Sequence, residues 1–170
     1  MMEPAEALSV AAQIAVTLTG FTGVVAVFGP GAVHEWDEGN RLRLRLLLLA
    51  SIIPLCLSLL GLFLLTTGLG PTFAWQVCST LGAVSFLAVG VHSLRRFRSI
   101  GVVRMNATPG SNIVFLTTSI VGLATCALQI VNVAMLQTFW PFFAQVVVGM
   151  LMALLQFARL IVTRPQSRPG

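Results

Sequence analysis

Arg41-Leu42-Arg43-Leu44-Arg45-Leu46-Leu47-Leu48-Leu49-Ala50 is the stretch that decides how this chain folds. Taken alone, the Arg-Leu alternation has the period of a half-buried strand. The leucines that follow break that period, and an uncharged apolar run continues through Ile52, Ile53 and Leu55 to Thr66. A run of that length reads as a membrane-crossing helix. Its arginines stand at one end, where long side chains snorkel to the head groups.

The rest of the chain falls into the same pattern. Five apolar spans are expected, near 5–29, 42–67, 72–94, 112–137 and 139–162. All ten cationic residues are arginines. Arg41, Arg43 and Arg45 follow the first span, Arg95, Arg96, Arg98 and Arg104 the third, and Arg159, Arg164 and Arg168 close the fifth. The second and fourth connections carry no charge. Positive residues resist translocation and collect on the cytoplasmic side. One topology puts every arginine there: N-terminus out, C-terminus in. The expected fold is all-α, a single polytopic domain of five transmembrane helices over residues 1–170.

Composition agrees. The chain is 56% hydrophobic and 9% charged, against roughly 25% charged in soluble domains. A net charge of +5 would suggest nucleic acid in a soluble protein; here it marks topology, and the expected partners are the bilayer and its anionic head groups. The first span reads as retained rather than as a cleaved signal, because Glu3 and Glu6 stand at its start, where a signal peptide is basic. Cys56, Cys78 and Cys126 fall in three different spans and form no Cys-x-x-Cys pair. They read as small apolar residues. Pro54 should kink the second span, and Trp75, Phe139 and Trp140 should form an outer aromatic belt.

Small and polar residues recur at steps of three and four, the spacing of one helical face. The rows are Ser51, Pro54, Ser58 and Gly61 in the second span, Gln76, Ser79, Gly82 or Ala83, and Gly90 in the third, Thr118, Gly122, Thr125, Gln129 and Asn132 in the fourth, and Gln145, Gly149, Met152, Gln156 and Arg159 in the fifth. The first span offers two rows, Gln13, Thr17 and Gly20, or Ala15, Thr19, Thr22 and Ala26. Between helices in lipid, close approach at small residues and hydrogen bonds replace the hydrophobic drive. The amides Gln13, Gln76, Gln129, Asn132 and Gln145 should therefore point inward, all in the outer half of the bilayer. Together with Thr17 and Thr125 they form either a packed network that holds the bundle together or an outward-opening polar cavity.

Catalytic chemistry is not legible. Apart from Glu6 at the mouth of the first, no Asp, Glu or Lys lies within a span, as proton-coupled carriers would need at depth. His34 and His92 lack metal-ligand spacing, and no phosphate-binding glycine motif follows a strand. No catalytic, metal or cofactor-binding residue is proposed, and no cofactor. A cytoplasmic rim of His34, Trp36, Asp37, Arg41, His92, Arg95 and Arg96 reads as weak surface ion pairs or as a docking surface.

The run Phe21-Thr22-Gly23-Val24-Val25-Ala26-Val27-Phe28-Gly29, followed by Trp36 and Arg41-Leu42-Arg43, resembles a group of small bacterial multi-spanning proteins with no assigned activity. The likeness covers mainly the first two spans. It implies a bacterial inner-membrane protein and carries over no site residue. The expected role is non-enzymatic: assembly with itself or with a membrane partner. The alternative is a conduit for a small solute, lined by Gln13, Thr17, Gln129, Asn132 and Gln145.

The topology has a direct measurement. Reporter tags at the two ends should report opposite compartments, and external protease should leave the 95–104 segment of intact cells uncut.

Overall fold

The computed structural model describes residues 3–28, 38–100 and 111–162. They form five helices, α1 (Pro4–Phe28), α2 (Glu38–Thr66), α3 (Pro71–Ile100), α4 (Ser111–Val131) and α5 (Phe139–Val162), with a π-helical turn, Asn132–Leu136, extending α4. All five are long and apolar enough to cross a membrane.

The helix limits follow the apolar runs at one end of the bundle and overrun them at the other. Helix α2 starts at Glu38, three residues before Arg41, and α3 continues past Arg95 and Arg96 to Ile100. Arginine is a good helix former, so charge ends the hydrocarbon zone without ending the helix. At the arginine-free end the stops are sharp. The hydroxyls of Thr66 and Thr67 donate back to the carbonyls of Phe63 and Leu64. Gly68 and Gly70 then take φ of 70° and 89°, a region that suits glycine, and Pro71 opens α3, where its missing N–H costs nothing.

Helix α5 packs against all four others, α1 lies against α2 and α5, and α4 lies against α3 and α5. One core cluster joins Leu8, Ala11, Leu57, Trp75, Cys78, Phe142 and Val146. A second, toward the arginine end, joins Leu44, Leu47 and Ala153. Trp75 is therefore a core residue and not a member of an exposed belt. It is buried, stacked on Phe142 at 6.0 Å and tilted against Phe139 at 5.0 Å. Trp140 is exposed, as an interfacial residue should be.

The seam between α2 and α5 is closed by glycines. A Cβ on Gly61 would sit 2.8 Å from Leu8 Cδ1 and 3.4 Å from Phe142 Cε1. Seven residues earlier in α2, Pro54 meets Gly149, where a Cβ would stand 2.6 Å from the Pro54 Cγ. Helix α2 runs unbroken over Pro54, which is fully buried. Proline adds bulk at that point and glycine on the opposite helix makes room for it.

Gly149→Ala should thus cost about 1–3 kcal/mol, because a ring held in a helix cannot swing aside. Gly122→Ala should be neutral or stabilising, since nothing lies within 4 Å of a Cβ there and alanine is the better helix former. Thermal unfolding of the two variants in one detergent checks the contrast.

Candidate functional site

Lipid supplies no hydrogen-bond partners, so every polar group at bilayer depth has to find one inside the protein. Most of the hydroxyls do so locally. Thr17, Thr19, Thr22, Ser51, Thr118 and Thr125 each donate to the carbonyl four residues back, at 2.7–2.9 Å. This is the common habit of hydroxyl residues inside helices. It removes Thr17 and Thr125 from the polar groups with donors to spare.

Amides are longer and reach between helices. Asn132 is fully buried where α4 widens into its π turn. Its Nδ2 donates to Ser79 Oγ of α3 at 2.7 Å and to the Thr138 carbonyl at 3.0 Å. Its Oδ1 accepts from the Thr138 backbone N–H at 3.0 Å, and its backbone carbonyl accepts from the Gln137 N–H at 2.8 Å. Asn132 so grips both backbone groups of the residue that begins the return, while Gln137 makes the reversal in the left-handed region, φ 51° and ψ 38°. One turn earlier, Gln129 Nε2 donates to the Pro141 carbonyl at 2.7 Å. Two amides on α4 thereby hold the first turn of α5 and a serine of α3.

Gln145 is different. It is fully buried, yet neither Nε2 nor Oε1 has a partner. It presses on Gly82 of α3, where a Cβ would stand 2.8 Å from both its Cδ and its Nε2. The antiparallel register of Gly61 with Phe142 and Pro54 with Gly149 puts Ser58 opposite Gln145. Ser58 Oγ is also buried without a partner, and so is Gln129 Oε1. Ser79, Gln129 and Asn132 thus form a polar knot where α3, α4 and α5 meet, near the arginine-free end, with Gln145 beside it against Gly82. Ser58 and Ser79 were absent from the expected amide set. Both stood in the polar rows of their spans, but which residue each faces depends on the register between helices.

The remaining expected members lie elsewhere. Gln76 is half-buried. Gln13 and Thr17 are exposed on the outer side of α1. Of the two rows offered by the first span, the alanine row faces the core: Ala11, Ala15 and Thr22 are buried, along with Leu8. Two residues along a helix turn it about 200°, so Gln13 stands nearly opposite both Ala11 and Ala15. Small alanines let α1 approach α2 closely, and burying that side turns Gln13 out. A single path lined by Gln13, Thr17, Gln129, Asn132 and Gln145 does not form. Beside Gln13 is instead a shallow groove of about 430 Å³, lined by Ser9, Gln13 and Val16 of α1 and Leu55, Leu59 and Leu62 of α2.

Of the rim residues, His34, Trp36 and Asp37 lie outside the described residues. Arg41, His92 and Arg95 are exposed, and Arg96 follows them in α3. The thiols of Cys56, Cys78 and Cys126 are free. Comparison with known protein families, curated proteins and solved structures finds no match for this chain.

The two kinds of buried amide should respond differently to loss. Asn132→Leu strands Ser79 and both backbone groups of Thr138, and should cost about 2 kcal/mol or more. Gln145→Met removes an amide that makes no bond, keeps its volume, and should be neutral or stabilising. Thermal unfolding in detergent separates them, and equal losses would refute the assignment.

Proposed function

We propose that this chain is a multi-pass protein of the bacterial inner membrane, N-terminus out and C-terminus in, that works by assembly and not by catalysis. The observation that carries the reading is Gln13. It sits nine residues into α1, about 13 Å along the axis from Pro4, and it is exposed on the bundle surface. An amide held against lipid leaves donors and acceptor unmet, at a cost of about 2 kcal/mol or more. Its thrifty remedy is a second protein surface in the membrane.

Other features support the same reading. The amides that do face inward hold helices together, with Gln129 and Asn132 each clamping backbone. The arginines, gathered at one end, suit contact with anionic head groups.

Native mass in mild detergent is the test. The protein should run as a complex heavier than one 18.2 kDa chain plus its bound detergent and lipid. A strict monomer with nothing co-purifying from native membranes would overturn the assembly reading.

A further inference from the structure

We infer that the partner at the Gln13 face is a second copy of this chain, docked along α1 with the two Gln13 amides bonded to each other across a two-fold axis normal to the membrane. The inference rests on the assembly reading and names its occupant.

Three observations carry it. The Gln13 amide makes no hydrogen bond among the described residues; only its backbone carbonyl is engaged, by Thr17 Oγ1 at 2.9 Å. The candidate occupants are then narrowed by depth. Gln13 lies seven residues after Glu6, about 10 Å along the axis, well inside the apolar span Pro4–Val27. A polar group carried at that depth by another protein would satisfy it. A primary amide has donors and an acceptor, so it is its own complement. Copies that share one topology hold Gln13 at one depth, and a two-fold axis pairs the two amides in reciprocal fashion.

The surroundings fit close approach. Ser9, Gln13, Thr17 and Gly20 follow one another at steps of four, four and three along this side of α1. Thr17 has already spent its hydroxyl on its own helix. A Cβ at Gly20 or at Gly23 would meet nothing within 4 Å, so packing within the chain does not require a glycine at either place. Glycine inside a helix costs about 0.5–1 kcal/mol relative to alanine. Gly90 and Gly122 are equally bare, so bare glycine alone does not select a face; the unmet amide does. The groove between α1 and α2 lies directly beside Gln13 and offers an apolar wall to the second α1.

Two measurements on the full chain test this. The first is self-association of purified protein in lipid vesicles, read by energy transfer between labelled copies. Wild type should associate, Gln13→Leu should weaken association roughly three- to tenfold, the range one interhelical polar pair supplies, and Gln13→Asn should keep most of it. The second is oxidative cross-linking in native membranes, with Cys56, Cys78 and Cys126 replaced by alanine. Thr17→Cys should give a covalent dimer of this chain, and Leu123→Cys, exposed on α4, should not. Association unchanged by Gln13→Leu would overturn this interface. A monomer in vesicles that cross-links through Thr17→Cys only to a different protein would overturn the second-copy inference and leave the assembly reading standing. No association and no cross-link of either kind would remove both.

Discussion

Hydrocarbon offers no hydrogen bond, and most of this structure can be derived from that one constraint. Three classes of polar side chain meet it in three ways. Hydroxyls fold back onto the carbonyl one turn earlier, so Thr19, Thr22 and Ser51 sit in the spans without a partner on another helix. Arginines, which cannot shed their charge, stay at one end of the helices, where their stems reach water. Amides can do neither. They cross between helices, and for that reason Gln129 and Asn132 decide which helices are neighbours and in what register.

That division gives the bundle an uneven texture. Toward the first core cluster, α1, α2 and α5 meet through shape: Leu8 and Phe142 over Gly61, Trp75 on Phe142. Toward α3 and α4, contact runs through the polar knot. Helix α5 carries both, with Phe142 and Val146 in the apolar cluster and Gln145 beside them against Gly82 of α3. The two halves of the contact differ in tolerance. Apolar packing accepts exchange of volume for equal volume. A clamp such as Asn132 on Thr138 accepts little, because each atom lost leaves another unmet.

Much of this was legible in the sequence. Five spans, the abrupt stop at Gly68–Pro71, the buried row of α2 and the buried parts of the rows of α4 (Thr125, Gln129, Asn132) and α5 (Gln145, Gly149) follow from apolar length and from steps of three and four. Legibility failed where periodicity names a face but not its neighbour. In α1 two rows were available, and the choice went to alanine and Leu8 because Gly61 had room for the leucine. Trp75 has the composition of a belt residue and is buried because Phe139 and Phe142 close over it. Ser58 is an ordinary helix serine until the register of α2 against α5 places it opposite Gln145. The grip of Asn132 on Thr138 needed the π turn, which widens the helix at that residue and leaves no mark in composition.

The π turn also sets how α4 and α5 relate as lengths of chain. A wide turn holds one residue more than an α-turn would over the same stretch, and only Gln137 and Thr138 separate it from α5. With so short a link, the extra residue is the sole slack in the hairpin. Deleting any one of Val133 to Leu136 would let α4 close up as an ordinary α-turn over the same stretch and leave the hairpin no length to give. Asn132 would then face Thr138 across a narrower turn, with both of its backbone bonds there at stake.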